Sequence, residues 1–165
     1  MKAVAFDYAA PRDVATALAL AAEAGGAAKY VAGSQSLGPM LNLRLVQPAL
    51  LIDLRRVGEL AEVGATTDAV RFGACTTHAA IEDGTVPDPT HGLMPYVARG
   101  IAYRPVRNRG TVGGSLAHAD PAADWVSAMA LLGAVAIVRG AAGERRVALD
   151  SFLSGAYTTA LDDDE

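Results

Sequence analysis

The sequence predicts an α+β fold in which one domain over residues 1–165 forms two intimate lobes, a small one over about residues 1–55 and a larger one over about residues 56–165. Its 165 residues are 52% hydrophobic and 19% charged, which is typical of a chain that buries a real core. Helix signals and one long apolar run alternate at the start of the chain, and pairs of short strand-like runs follow. This change of pattern places the boundary between the lobes.

The small lobe is predicted to begin with an amphipathic helix. Pro11 suits the first helical position, Asp13 places an acid in the first turn, and Gly25 and Gly26 end the helix. A short strand over residues 28–32 is expected to follow.

Three short runs complete the small lobe. Small residues over 33–36 predict a loop, and residues 37–43 predict a short helical turn. Residues 49–54 are an apolar run of strand length, which indicates a strand buried on both faces.

The larger lobe is predicted as short strands and helices joined by turns. Strands are expected over 62–64, 69–74, 134–139 and 145–149, helices over 76–82, 94–99 and 121–132, and a tight, basic connection over 101–110. Thr76 is the expected cap of the first of these helices. Asp120, followed by Pro121, is the expected cap of the last.

Composition excludes several classes of protein. A net charge of −4 and a pI near 5.3 argue against a binder of nucleic acid, which needs a basic face. Cys75 is the single cysteine, so neither an internal disulfide framework nor a Cys/His metal cluster is expected. The longest apolar stretch, 128–138, has 11 residues and is too short to span a membrane, and Asp7 interrupts any signal-peptide core. We therefore expect a soluble, cytoplasmic protein.

Two segments rich in Gly, Ser and Thr are the candidates for binding chemistry. They cover residues 31–38, directly after a predicted strand, and residues 109–118. Such segments turn sharply and can converge several backbone N–H groups on one point, an arrangement called a nest that binds anions. Neither is a Walker loop or a G-x-G-x-x-G motif. Each alone is explained by ordinary turn chemistry, but the two together, without lysine, suggest a shared pyrophosphate.

The residues around the second segment have simpler explanations that stay open at this point. Gly113 to Ala117 imitates a nucleophile elbow, but no histidine follows His118, which argues against a serine hydrolase. Asp124 could complement a helix dipole, and His118 could be a solvated loop residue. Arg104, Arg107 and Arg109 could form a solvated basic face, and Cys75 a small core residue.

The same two segments resemble a known family. Residues 31–37 and 107–124 are similar to the FAD-binding (medium) subunits of molybdenum hydroxylases of the xanthine dehydrogenase and aerobic carbon monoxide dehydrogenase type. The resemblance extends over the whole chain, including residues 6–8, 52–54 and 157–161. It implies the two-lobed PCMH-type FAD-binding fold that is shared with flavoenzymes of the vanillyl-alcohol oxidase type.

The resemblance also implies roles for individual residues. Two groups would bind the FAD pyrophosphate from either side, and flanking residues would complete the site: Val31, Ala32, Gly33, Ser34, Gln35, Ser36 and Leu37 in the first segment, and Thr111, Val112, Gly113, Gly114, Ser115 and His118 in the second. Asp124 would meet the ribose or adenine half, Ile101 and Ala102 would lie near the flavin ring, and Leu161 would contact the cofactor through its backbone. FAD is expected rather than FMN because two opposed nests suit two phosphates.

The implied function is electron transfer without catalytic or metal-binding residues on this chain. Electrons would pass from a molybdenum centre on a large subunit, through 2Fe-2S clusters on a small subunit, to FAD and then to NAD, a quinone or oxygen. The assembly would be a dimer of heterotrimers. The alternative is a noncatalytic nucleotide-binding or assembly module that kept the fold.

Three departures from the family pattern stand out. Ser34 replaces the second glycine of the usual A-G-G-x-S, so a Cβ occupies a crowded turn. Ser115 stands where Asn is common. The family continues with a further domain beyond the region that these 165 residues represent.

Overall fold

The computed structural model describes residues 2–163 and 165, and it shows a mixed fold of helices and strands. The strands are β1 (Asp7–Ala9), β2 (Ala28–Val31), β3 (Leu50–Asp53), β4 (Val63–Ala65), β5 (Val70–Phe72), β6 (Val135–Gly140), β7 (Gly143–Ala148), β8 (Leu153–Gly155) and β9 (Thr158–Thr159). The helices are α1 (Val14–Ala24), α2 (Leu37–Asn42), α3 (His78–Glu82), α4 (Leu93–Gly100), α5 (Arg104–Arg107), α6 (Val112–His118), α7 (Asp124–Leu131) and α8 (Leu149–Phe152). Two 3₁₀ turns, Leu54–Arg56 and Gly58–Leu60, follow β3. The α+β class is confirmed.

A parallel three-stranded sheet forms the first part of the fold, in the order β1-β3-β2. β3 pairs with both neighbours, and Leu51 and Ile52 are buried, which confirms the expectation from the apolar run at 49–54. A small core of Val31, Leu41 and Leu51 packs β2 and β3 against α2. The sheet thereby fixes the point at which the chain leaves β2.

Helix α1 begins later than the sequence predicts. Asp13 is its N-cap and not a first-turn residue, because its carboxylate accepts the backbone N–H of Thr16 at 2.7 Å. Pro11 therefore lies before the helix. Gly25, with a φ of +57°, ends it as predicted.

Two further helix caps differ from the expectation. Thr77, not Thr76, caps α3, since its hydroxyl accepts the N–H of Ala80 at 3.1 Å. Asp120 does not cap α7, because its carboxylate accepts the N–H of Ala122 at 2.9 Å and the helix begins only at Asp124. Pro121 is consequently outside the helix.

The larger core lies between helices α3, α4, α6 and α7 and the last strands. Its buried members include Met94, Ala98, Trp125 and Phe152, and Trp125 is fully buried. The antiparallel hairpins β4–β5 and β6–β7 are close to the predicted strands, and Gly140 pairs with Gly143 at the predicted turn. Helices α5 and α8 and the β8–β9 hairpin were not predicted. Each of these helices and strands has four residues or fewer, which is too short for a periodic sequence pattern.

Within residues 2–163 and 165, no helix has the length and hydropathy needed to cross a bilayer. The same residues contain no group of three or more His, Cys, Asp or Glu side chains placed to hold a metal ion.

Candidate functional site

The loop after β2 presents a run of free backbone N–H groups. The N–H groups of Ser34, Gln35, Ser36 and Leu37 donate to no acceptor among residues 2–163 and 165. Ser34 adopts a left-handed conformation with a φ of +62°, and the side-chain Nε2 of Gln35 donates to the carbonyl oxygen of Gly33 at 2.8 Å. Successive free N–H groups around a left-handed residue form an anion-binding nest. The nest predicted for the first segment is therefore present.

The second segment is the capped start of α6 and not a second nest. The N–H of Val112 donates to Thr76 O at 3.0 Å, and the N–H of Gly113 donates to Ala74 O at 2.9 Å. The N–H of Gly114 donates to Thr111 Oγ1 at 3.1 Å, and the N–H of Ser115 to Thr111 O at 3.0 Å. The expectation of free N–H donors here is wrong, because the Thr111 cap and the loop before α3 supply acceptors for all four. The second segment therefore offers a packing surface to the first segment, and no free N–H donors from Val112 to Ser115.

The two segments are in direct contact. A Cβ on Gly33 would overlap the carbonyl oxygen of Arg109 and lie 2.7 Å from Gly110 Cα. Glycine is required at position 33 because backbone packs on backbone there. The nest of the first segment is thus pressed against the turn that leads into α6.

Gly113 and Gly114 have different reasons to be glycine. A Cβ on Gly113 would overlap Ala74, so this glycine serves the packing of α6. Gly114 is exposed, and a Cβ there would lie 2.8 Å from Thr111 Oγ1 and 3.9 Å from the Cβ of Ala32. Gly114 therefore leaves open the space beside Ala32, between the two segments. An open cradle next to four free N–H groups fits a diphosphate.

Ile101 and Ala102 form a tight turn between α4 and α5. Ile101 packs against the larger core, whereas Ala102 is exposed and left-handed with a φ of +42°. The side chain of Arg107 donates to both carbonyl oxygens, at 3.0 and 3.2 Å. The turn is therefore held from one side and open on the other.

Asp124 lies in a groove on the same side as that turn. The groove has a volume of about 380 Å³ and is lined by Tyr96, Val97, Arg99, Gly100 and Asp124. Asp124 is the exposed first residue of α7, where a carboxylate complements the helix dipole. Because Gly100 directly precedes Ile101, this groove adjoins the 101–102 turn.

His118 is the last residue of α6 and contacts the β8–β9 hairpin. The ring of His118 stacks at a tilt on that of Tyr157, with 5.3 Å between the ring centres. Tyr157 donates its N–H to Ala119 O at 2.8 Å, which ties the β8–β9 hairpin to α6. Leu161 follows this hairpin and packs against the larger core. Tyr157 was not predicted as a site residue, and only its place in the family's closing motif could have indicated it.

His78 packs against Gly110 in the second segment, and the sequence did not indicate this contact. Its Nδ1 accepts the indole N–H of Trp125 at 2.9 Å, and its Nε2 would lie 2.5 Å from a Cβ on Gly110. Burial lowers the pKa of His78 to about 4, so the imidazole is neutral at pH 7. A neutral, hydrogen-bonded histidine thus fixes the residue before Thr111.

The remaining candidates are structural. Arg104 donates to Asp83 and Glu82, so it belongs to an ion-pair network and not to a free basic face. Cys75 is half-buried and its thiol donates to Leu54 O at 3.5 Å. Burial raises the pKa of this thiol to about 11, which keeps it protonated.

Comparison with known proteins identifies the relatives of this chain. Residues 4–165 match the family described as the FAD binding domain in molybdopterin dehydrogenase. The chain is 37% identical over 98% of its length to the 6-hydroxypseudooxynicotine dehydrogenase complex subunit alpha of Paenarthrobacter nicotinovorans. It is also 37% identical over 97% of its length to the carbon monoxide dehydrogenase medium chain of Hydrogenophaga pseudoflava.

Solved structures give the same result. Quinoline 2-oxidoreductase from Pseudomonas putida 86 superposes with a TM-score of 0.92 at 40% identity over 99% of this chain. Carbon monoxide dehydrogenase from Hydrogenophaga pseudoflava superposes with a TM-score of 0.93 at 36% identity. The chain spans 54% and 56% of the two relatives and 57% of each solved chain, so it corresponds to about half of these proteins.

Proposed function

Because this chain belongs to the family of FAD-binding domains of molybdopterin dehydrogenases, we propose that it is the FAD domain of an electron-transferring medium subunit. In this proposal the subunit takes electrons from iron–sulfur clusters of a partner and passes them to an external acceptor. The observation that carries the proposal is the nest at 34–37, which follows the contact of Gly33 with the Arg109–Gly110 backbone and lies next to the open space between Ala32 and Gly114.

The pyrophosphate of FAD is assigned to the nest. Four neutral N–H donors can share the charge of two phosphates, and hydrogen bonds to a charged group contribute about 1.5–3 kcal/mol each. Gly114 and Ala32 would let the phosphates approach without steric conflict. Val31 and Leu37 flank this loop, and the capped turn Thr111 to Ser115 would close it from the side of the larger lobe.

The parts of FAD on either side of the pyrophosphate are assigned to residues around α6. The 101–102 turn would lie beside the flavin ring, and Asp124 would accept hydrogen bonds from the nucleoside half. His118 and the backbone of Leu161 would complete the enclosure near the β8–β9 hairpin. In this proposal, residues of about 1–55 and about 56–165 form two lobes, and FAD lies between them.

Bound FAD supplies the redox centre, and the residues of this chain bind, orient and shield it. The proposed partners are a large subunit with the molybdenum cofactor and a small subunit with 2Fe-2S clusters, in a cytoplasmic dimer of heterotrimers. The names of relatives support this division, since they include the nicotine 6-hydroxylase medium subunit of Paenarthrobacter nicotinovorans. Substrate oxidation would occur on the large subunit.

A pair of glycine variants tests the assignment of the pyrophosphate. In the full-length protein, Gly114→Val fills the space beside Ala32, and we expect FAD binding about a hundredfold weaker. Gly64→Val is the matched control, because a Cβ at Gly64 meets nothing within 4 Å. Unchanged flavin affinity in a folded Gly114→Val protein would remove this segment from the site.

A visible spectrum separates the proposal from a noncatalytic module of the same fold. The purified protein should show the two absorption bands of bound flavin, and these bands should bleach when the reduced iron–sulfur partner is added. A protein that binds a nucleotide but shows no flavin bands would support the module.

A further inference from the structure

The guanidinium of Arg107 joins α3 to the 101–102 turn. Its Nε donates to Glu82 Oε2 at 2.7 Å, and its Nη2 donates to Glu82 Oε1 at 3.2 Å. Its Nη1 donates to the carbonyl oxygens of Ile101 and Ala102 at 3.0 and 3.2 Å. Only 12% of the Arg107 side chain is exposed. The guanidinium is therefore oriented by Glu82 and fixes both carbonyls of the turn.

This arrangement determines where the N–H of Ala102 points. The peptide between Ile101 and Ala102 is trans, so its N–H lies opposite to its carbonyl oxygen and therefore away from Arg107. Within residues 2–163 and 165, this N–H has no acceptor, and Ala102 is exposed.

The backbone of Ala102 is also held in a costly conformation. Its φ of +42° lies in the left-handed region, where a residue with a Cβ is strained. Two hydrogen bonds from a charged donor are sufficient to offset that strain. The turn is thus preorganised with one free N–H on its outer side.

We propose that Arg107 is a positioning residue for the flavin, which holds the Ile101–Ala102 peptide so that the Ala102 N–H donates to an acceptor atom at the edge of the flavin ring. This inference rests on the proposed function, which places the turn beside the ring. A hydrogen bond to that edge favours the reduced flavin, because reduction increases its negative charge. Arg107 therefore raises the midpoint potential of the flavin through the backbone and without touching the cofactor.

Arg104 provides a matched control on the same helix. It donates to Glu82 at 3.0 Å and to Asp83, but it contacts neither carbonyl of the turn. In Arg107→Met, Glu82 keeps Arg104 as its partner, so the fold should survive. Arg104→Met removes a similar ion pair and leaves intact the hydrogen bonds from Arg107 to the two carbonyl oxygens of the turn.

The test compares these variants in the full-length protein within its complex. We expect Arg107→Met to retain FAD while its midpoint potential falls and the absorption bands of its flavin shift. Arg107→Lys, which keeps the charge but not the bidentate geometry, should lie between it and the wild type. Arg104→Met should match the wild type in both readouts.

Two results would overturn the inference. One is a wild-type potential and spectrum in Arg107→Met or, should that variant not fold, in Arg107→Lys. The other is an equal shift in Arg104→Met, which would reduce Arg107 to an ion pair of the fold. Failure of the proposed function looks different, because the wild-type protein would then bind no flavin at all.

Discussion

The carbonyl oxygen of Arg109 occupies the space in which a side chain on Gly33 would have to lie. This contact joins two motifs that are distant in the sequence, the loop after β2 and the turn before α6. It presses the nest at Ser34 to Leu37 against the second segment. The site therefore depends on one glycine for its assembly and on another, Gly114, for its open space.

Substitution of Gly33 should disturb the fold as well as the site. Gly33→Ala places a methyl group on the backbone of Arg109, and we expect a loss of about 1–3 kcal/mol in the free energy of unfolding. Denaturant unfolding measures this loss. Gly64→Ala, in open space, should change the free energy of unfolding by much less, and equal stability of the two variants would contradict the contact.

Ser34→Gly should stabilise the protein. Ser34 has a φ of +62°, which glycine adopts without steric cost. We expect a gain of about 0.5–1 kcal/mol after the extra chain entropy of glycine is subtracted. The nest should remain, so FAD affinity should not fall. A lower melting temperature for Ser34→Gly would show that the serine side chain stabilises the loop.

The N-cap of α6 can be tested by removing the Thr111 hydroxyl and then restoring it with serine. Thr111→Ala leaves the N–H of Gly114 without its acceptor and should cost about 1 kcal/mol. Thr111→Ser keeps the hydroxyl and should recover most of that loss. Equal destabilisation by both substitutions would mean that the Thr111 methyl group, which is buried, matters more than the cap.

His78 makes stability depend on pH. Its pKa is lowered from 6.5 to about 4 by burial, with a smaller opposing effect of Asp124. The unfolded chain therefore binds the proton more readily, so the contribution is complete above about pH 6.5 and is lost as the pH falls towards 4. The loss is about 3 kcal/mol. Unfolding followed by the fluorescence of Trp125 should show it, and His78→Gln should flatten the dependence. A slope that persists in His78→Gln would assign it to other groups.

Much of the fold could be predicted from the sequence because its strongest elements carry unambiguous local signals. The apolar run that became β3 and the Gly25 stop of α1 are of this kind. The N-cap of α3 could not be predicted, because Thr76 and Thr77 are neighbours and only the structure shows which hydroxyl reaches Ala80. The prediction that Asp120 caps α7 was wrong, because its carboxylate accepts the nearby N–H of Ala122 instead.

The site could be predicted in its parts but not in its hydrogen bonding. The residue types of both segments indicated a phosphate site, and the first does contain a nest. The N–H groups of Val112 and Gly113 donate to Thr76 and Ala74, which are remote in the sequence. No local pattern reveals such acceptors. The support of Gly110 by His78 depends in the same way on tertiary packing.

The identity of the bound cofactor is the most direct test of the account. The full-length protein is purified, denatured, and its released cofactor is separated by chromatography. We expect FAD in an amount equal to that of the protein, because the proposed site assigns a diphosphate to the nest and the nucleoside half to Asp124. FMN as the main species, or no flavin from a folded protein, would contradict the assignment.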